Sequence, residues 1–353
     1  MTARASSNLP LQLAGAWTLL VIYASLYPFT GWRDTGSDPF VFLEAAWPRY
    51  FTGFDLVVNG LAYLPLGALW ATALQRHLSR RTAGGVTLLA GAMLSLVIET
   101  VQNYLPSRVP SNLDVACNAA GVFVGMLAGL RWGGTLLDGG RLHAWRERRF
   151  LSGTSGDIGL LLVGGWFLTQ LNPETFLFGS GNLRGLIGLP GALPFAAEHF
   201  IALETATVAG QTLAIALIGT RLAVNHPLLL PLVLVVAALA VKSFALLVLM
   251  HGVHGLAWAT PGSLAGLALG LVLWAGLVQG PPAALQTAAA LALMLATVLA
   301  NLMPDNPYLE NTLRVWQQGH FFNFNGLTRL VTALWPFLAL PWLMLSLTPR
   351  RRR

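Results

Sequence analysis

The sequence predicts an all-α protein, a polytopic bundle of about ten transmembrane helices (eight to ten), with both termini in the cytoplasm. Hydrophobic residues make up 55% of the 353 residues and charged residues only 10%, whereas a soluble domain carries roughly 25% charged residues. Long apolar runs alternate with short stretches that hold most of the charges, which is the pattern of membrane-spanning helices. Together these observations exclude a water-soluble globular protein.

Ten apolar segments approach the length of a spanning helix, because a hydrocarbon core about 30 Å thick needs roughly 20 mainly apolar residues. The fifth segment is short, and only residues 280–282 separate the eighth from the ninth, so the expected number of spans is eight to ten. The predicted spans are residues 11–29, 54–74, 84–104, 112–132, 157–172, 200–219, 228–250, 257–278, 283–302 and 329–347.

The arginines predict the orientation. Placing both termini in the cytoplasm puts 14 arginines on the cytoplasmic side and 6 on the outer side, as the positive-inside rule requires. The net charge of +7 therefore reflects membrane topology, and no nucleic-acid partner is predicted. The first segment could alternatively be a signal peptide, but residues 23–30 offer no clear small-residue cleavage site.

The spans predict three parts: a four-helix membrane domain over residues 11–132, an arginine-rich cytoplasmic linker over 133–156, and a second membrane domain of about six helices over 157–347. The segment LYPFT at 26–30 resembles LNPET at 171–175, an offset of 145 residues. The second domain could thus be a decayed parallel repeat of the first, with chance similarity as the open alternative.

Three connecting segments are unusual in composition. Residues 38–53 and 304–328 mix aromatic residues and prolines with a few charges, which is typical of segments that lie in the membrane interface. We expect both to cover the outer surface as lids. Residues 185–197 are apolar but interrupted by glycine and proline, which favours a re-entrant or interfacial segment.

Polar side chains are concentrated in the second, third and fourth spans, in pairs three or four residues apart that share a helix face. Because these spans alternate in direction, all the pairs fall at the outer end of the bundle. Arg108, in the turn before the fourth span, is the expected counter-charge for Glu99 or Asp114. An ionisable residue inside a span is by default a functional candidate. The predicted ligand-binding residues are Asp55, Asn59, Glu99, Gln102, Arg108, Asp114 and Asn118.

Glu99 and Asp114 are also the candidate acid/base residues if a reaction is catalysed. The alternative is that Glu99, Asp114 and Arg108 form an ion-pair network that only locks the helices together. Gly121 and Gly125 repeat the spacing of Asp114 and Asn118 on the fourth span, which favours close packing of helix backbones.

In the second domain, Lys242 and Glu204 are secondary candidates. Lys242 is the only lysine and lies within a span, where it needs an acidic partner or water; Glu204 and Glu198 are the preferred partners. No nucleotide-binding, hydrolase or metalloprotease motif is present, and no cofactor or metal is predicted.

Residues 54–70 (FDLVVNGLAYLPLGALW) and 94–129 resemble the signature of the VanZ-like family, bacterial membrane proteins named for a teicoplanin-resistance protein. The family pattern has an Asp and an Asn leading a span that ends in Pro-x-Gly, then Glu-x-x-Gln, an arginine in the next turn, and Asp-x-x-x-Asn-x-x-Gly. The matching positions here are Asp55, Asn59, Pro65, Gly67, Glu99, Gln102, Arg108, Asp114, Asn118 and Gly121. The resemblance covers residues 11–132 and implies a multi-pass inner-membrane protein connected with the cell envelope or with glycopeptide sensitivity.

We therefore expect a protein that binds or remodels a membrane lipid head group or a lipid-linked envelope glycan through an outer-leaflet polar cluster. Two alternatives stay open: a membrane enzyme using the same carboxylates, and a transporter with a site between two parallel halves near Lys242 and Glu204.

Overall fold

The structure is a computed structural model that describes residues 9–34, 36, 38–47, 53–137, 140–249, 254–305 and 322–345. Within these ranges the regular structure is helical, apart from one isolated β-bridge between Phe150 and Ala223. The chain divides into two compact units, unit 1 (residues 1–147) and unit 2 (residues 148–353). The division falls inside the segment 133–156 that the sequence assigns to a linker.

Unit 1 is built from four long helices and several short ones. After α5 the chain continues through a π-helical turn, Gly129–Gly133, into α6, and α7 crosses the division between the units. The helices are α1 (Leu9–Leu26), α2 (Val41–Glu44), α3 (Gly53–Leu74), α4 (Arg80–Gln102), α5 (Asn112–Ala128), α6 (Gly134–Leu137) and α7 (Arg141–Arg149).

Within the described residues, unit 2 contains six long helices and one short one, which follows the first of them. These are α8 (Thr154–Gln170), α9 (Leu183–Leu186), α10 (Ala197–Leu222), α11 (Leu229–Leu249), α12 (Pro261–Leu277), α13 (Pro282–Leu302) and α14 (Phe322–Leu345).

Each predicted span corresponds to one of the long helices, which confirms the helical, polytopic fold. Eight helices in the described ranges are long and apolar enough to cross a membrane by length and composition, with α5, the π-helical turn and α6 taken together as Asn112–Leu137. Helices α8 and α12 are shorter, at 17 residues each. Helix α12 begins at Pro261 and not at 257, because the side chain of Thr260 caps it by accepting from the Ser263 amide and proline suits the first helical position.

Helices α3 and α5 form the closest contact in unit 1. A β-carbon at Gly121 would clash with the carbonyl oxygen of Gly60, and one at Gly125 would clash with that of Leu64. Only glycine therefore lets the two backbones approach to this distance. The contact sets the register of α3 against α5 and brings Asn59, near the start of α3, close to Asp114 in the first turn of α5.

The core of unit 2 encloses a segment without regular structure, residues 171–181, which joins α8 to α9. Phe178 is 1% exposed and its ring centroid lies 5.1 Å from that of Trp166. The amide of Gly181 donates to the carbonyl of Thr332 on α14. Irregular backbone inside a helical bundle is tolerated only where its polar groups find partners.

The three unusual segments are described in part. Helix α2 lies within 38–53, and the side chain of Asn112 donates to the carbonyl of Ala45 over 2.7 Å; residues 48–52 lie outside the described residues. In 304–328, residues 306–321 lie outside them and the remainder begins α14. After α9, residues 187–196 are irregular and mostly exposed. Lid and re-entrant roles stay predictions.

Candidate functional site

Polar side chains from α3, α4, α5 and the turn between α4 and α5 meet at one end of unit 1. We call Asn59, Glu99, Arg108, Asp114 and Asn118 the unit 1 cluster. Asn59 Nδ2 on α3 donates to Asp114 Oδ1 on α5 over 2.8 Å, and both side chains are half-buried. The proximity expected from alternating span directions is therefore observed for this pair.

Asp114 lies in the first turn of α5, where the helix dipole favours a negative charge. The hydroxyl oxygen of Ser111 caps this helix by accepting from the amides of Leu113 and Asp114, over 3.2 and 3.4 Å. The cap fixes the position at which Asp114 faces Asn59.

Glu99, near the end of α4, is 4% exposed. Its Oε2 atom accepts from the backbone amide of Ser111 over 3.0 Å, so the carboxylate joins the end of α4 to the start of α5. Glu99 also interacts electrostatically with Asp114 and Arg108. Two carboxylates and one guanidinium thus influence one another around the buried Glu99 side chain, where electrostatic interactions are stronger than in water.

Arg108 holds the end of α1. Its Nη2 atom donates to the carbonyl of Tyr27 over 2.8 Å and to that of Ala24 over 3.4 Å, carbonyls that a helix end leaves without intrahelical partners. Burial lowers the pKa of the Arg108 guanidinium, and the negative charge of Glu99 acts in the opposite direction. Glu99, one of the two expected counter-charges, thus acts on Arg108.

The two remaining side-chain amides are those of Asn118 and Gln102. Asn118 is 4% exposed and donates to the hydroxyl of Ser95 on α4 over 3.0 Å, while its Oδ1 atom finds no hydrogen-bond partner among the described residues. Gln102 donates to the carbonyl of Ser25 at the end of α1 over 2.8 Å. Asp55 begins α3 one turn before Asn59, but its side chain lies outside the described residues.

The sequence did not predict the roles of Ser111 and of the carbonyls at the end of α1. Ser111 carries a recognisable signal, because Ser-Asn-Leu-Asp before an apolar run fits the Ser-x-x-Asp/Glu pattern of a helix start. No pattern of side chains identifies these acceptors, since every residue has a backbone carbonyl.

Replacing Ser111 with alanine is expected to lower the free energy of unfolding of unit 1 by about 1 kcal/mol, because the cap of α5 is lost. Thermal melting of the purified protein in detergent would measure the change. Ser107→Ala, at an exposed position in the same turn, is the control and should melt with wild type. If both variants melted at the same temperature as wild type, the capping role of Ser111 would be contradicted.

In unit 2, Lys242 and Glu204 are both buried but do not pair. Lys242 Nζ donates to the carbonyls of Asn172 and Thr175 over 2.6 and 2.7 Å, and lies 3.4 Å from the Thr175 hydroxyl. Glu204 Oε1 accepts from the hydroxyls of Thr260 and Ser263. The predicted ion pair is wrong because the backbone of the irregular segment supplies the acceptors of the ammonium. Glu198, the other predicted partner, is exposed.

The family model described as VanZ/LLP1 matches residues 6–132, which include α1 to α5 and the whole unit 1 cluster. The match covers about a third of the chain and confirms the resemblance inferred from the sequence for this region. No curated protein and no solved structure matches the chain.

Proposed function

We propose that the VanZ-like membrane domain at residues 6–132 binds the polar head group of a membrane lipid or of a lipid-linked envelope glycan through the unit 1 cluster. We place this cluster at the outer face of the bacterial inner membrane, as the distribution of arginines predicts. The observation that carries the proposal is the meeting of polar groups from three helices and one turn at one end of the spans. Head groups lie at the ends of spanning helices.

Exposure divides the cluster into two layers. Asn59, Arg108 and Asp114 are half-buried, whereas Glu99 and Asn118 are buried. We assign contact with the ligand to the first three, since a head group can reach them from the membrane surface. Glu99 holds the start of α5 through the Ser111 amide and therefore positions Asp114.

The chemistry of the half-buried layer suits a phosphorylated or glycosylated head group. A guanidinium forms strong, charge-assisted hydrogen bonds with phosphate or carboxylate oxygens. The Asp114 carboxylate and the Asn59 amide accept hydrogen bonds from sugar or glycerol hydroxyls. A part in glycopeptide sensitivity follows if the bound head group belongs to a cell-wall precursor.

Removal of the Asp114 carboxylate tests the proposal. Full-length protein in detergent would be titrated with two soluble probes, a short-chain phosphatidylglycerol and a short-chain polyprenyl-diphosphate-linked disaccharide. We expect Asp114→Ala to raise the Kd of the preferred probe about tenfold, which corresponds to about 1.4 kcal/mol, because a charged acceptor is lost. The matched control is Asp38→Ala, an exposed carboxylate of the same unit, with Kd unchanged. Equal affinity of all three proteins, or no saturable binding of either probe, would reject the proposal.

A second candidate function is acid/base catalysis on the same head group. It is favoured by the buried carboxyl group of Glu99 beside the half-exposed one of Asp114, since two carboxyl groups in different environments can divide the roles of acid and base. Conversion of a probe by wild type that is lost in both Glu99→Gln and Asp114→Asn would support the enzyme. If wild type bound the probe without converting it, the protein would be a binding protein and not an enzyme.

A further inference from the structure

The irregular segment of unit 2 is fixed by a buried cation. Lys242 is 1% exposed, and its three N–H donors face the Asn172 carbonyl and the carbonyl and hydroxyl of Thr175. A buried ammonium is costly unless its donors are satisfied. The segment that supplies these acceptors is therefore held in one conformation against α11.

Glu174 lies in the turn at residues 172–175, between the two residues whose carbonyls bind Lys242. The amide of Glu174 donates to Asn172 Oδ1 over 3.0 Å, so the residue clamped by Lys242 also orients Glu174. Glu174 Oε1 accepts from Asn325 Nδ2 over 3.0 Å, and Oε2 lies 3.1 Å from Arg329 Nε. Glu174 thus joins two residues of α14 that are one helical turn apart.

The group contains both a buried acceptor and a reachable cation. Asn325 is 3% exposed, and its Oδ1 atom finds no hydrogen-bond partner among the described residues. This oxygen belongs to the amide that donates to Glu174, so it lies beside that carboxylate. The side chain of Arg329 is 34% exposed, and its Nη2 atom also donates to the carbonyl of Gly185 over 3.3 Å. A buried acceptor left unsatisfied costs about 1–3 kcal/mol, which a hydroxyl of a bound molecule would remove.

The turn that carries Glu174 corresponds, at the offset of 145 residues, to the turn that follows α1 in unit 1. In each unit the helix before the Leu-x-Pro-x-Thr turn ends with a carbonyl that a cation caps: Tyr27 by Arg108 and Asn172, 145 residues later, by Lys242. In both units a cationic side chain therefore satisfies the carbonyl that follows the helix.

Helix packing follows the same offset. A β-carbon at Gly266 on α12 would lie 2.6 Å from the Thr205 carbonyl oxygen of α10, and one at Gly270 would lie 2.7 Å from that of Ala209. All four residues lie 145 positions after those that form the close contacts of α3 with α5. The repeat stays a prediction, which this shared register supports.

We propose that Glu174, Asn325 and Arg329 form a second binding site, in unit 2, for a phosphate group that carries a neighbouring hydroxyl. Arg329 binds a phosphate oxygen, Asn325 Oδ1 accepts from the hydroxyl, and Glu174 orients both side chains. Lys242 is a positioning residue that holds the turn bearing Glu174. The same chemistry occurs in a lipid head group and in free glycerol phosphate. The unit 2 site does not require the unit 1 cluster to bind a ligand.

Arg329→Gln tests the site. Full-length protein would be titrated with short-chain phosphatidylglycerol, glycerol phosphate and short-chain phosphatidylcholine. In the Asp114→Ala background, which removes binding at the unit 1 cluster, we expect saturable binding of phosphatidylglycerol that weakens at least about tenfold on adding Arg329→Gln or Asn325→Leu. The control Arg184→Gln removes a half-buried arginine that donates to the Pro190 carbonyl of its own loop, and this variant should bind as wild type does.

The probes separate the two sources of the ligand. Preference for phosphatidylglycerol indicates a lipid, and equal binding of glycerol phosphate indicates a free phosphate ester; the site stands in both cases provided that binding depends on Arg329. Wild-type affinity in both Arg329→Gln and Asn325→Leu, or an equally Arg329-dependent affinity for phosphatidylcholine, which lacks the hydroxyl, would overturn it. Binding that depends on Arg329 should persist in Asp114→Ala, which keeps the outcome separate from that of the unit 1 cluster.

The role of Lys242 has its own readout. Lys242→Met should weaken phosphatidylglycerol binding as much as Arg329→Gln while leaving the Asp114-dependent binding unchanged, and Lys242→Arg should restore most of the affinity because its donors remain. Equal loss of both binding activities in Lys242→Met would show a general structural role and contradict the assignment.

Discussion

Replacing Gly125 with alanine is expected to destabilise unit 1 by about 3 kcal/mol, at the upper end of the usual effect of overpacking. The new β-carbon would overlap the carbonyl oxygen of Leu64, and backbone atoms cannot turn aside as a side chain can. Helices α3 and α5 would have to separate, which would also break the hydrogen bond between Asn59 and Asp114. Equilibrium unfolding in mixed micelles of increasing SDS content would measure the loss.

The matched control is Gly85→Ala on α4. A β-carbon at Gly85 would meet open space, and alanine is favoured over glycine in a helix by up to about 1 kcal/mol. We therefore expect this variant to be at least as stable as wild type. If Gly125→Ala unfolded at the same SDS content as Gly85→Ala, the close contact between α3 and α5 would be wrong.

Replacing Arg108 with methionine is expected to lower the free energy of unfolding by about 3 kcal/mol. The change removes charge-assisted hydrogen bonds to the carbonyls of Tyr27 and Ala24, and such bonds contribute about 1.5–3 kcal/mol each. It also leaves the buried carboxylate of Glu99 without its neighbouring positive charge. The SDS unfolding experiment applies here too.

A double-mutant cycle isolates the electrostatic part. With Glu99→Gln already in place, Arg108→Met should cost about 1–2 kcal/mol less than in wild type, because the two charges interact only when both are present. The control cycle pairs Glu99→Gln with Arg131→Met, an exposed arginine after the far end of α5, and should be additive. A coupling near zero in the first cycle would show that Glu99 and Arg108 do not interact.

The positions of the long helices could be predicted from the sequence because a span depends on length and apolar content alone. The proximity of Asn59 and Asp114 could be predicted too, since it follows from helix faces and alternating directions. Both predictions rest on regular geometry, in which the position of a side chain follows from its number in the chain.

The partners of the buried cations could not be predicted in this way. Lys242 is satisfied by carbonyls of an irregular segment and Arg108 by carbonyls at a helix end, and neither acceptor depends on the identity of a side chain. An acidic partner for Lys242 was inferred because only side chains are visible in a sequence pattern. The proposed site of unit 2 was missed for the same reason: Glu174 lies in an irregular turn whose backbone carbonyls accept hydrogen bonds from that lysine.

The lipids that remain bound to the protein during purification from its native membranes provide the most direct test that the unit 1 cluster binds a head group. Wild type and Asp38→Ala should retain the same head-group class, at several times its abundance in the bulk membrane, as measured by mass spectrometry. Asp114→Ala and Arg108→Met, purified as folded protein in the same detergent, should lose that enrichment. Identical retained lipids in all four proteins, or no enrichment over the membrane in wild type, would contradict a head-group site at this end of unit 1.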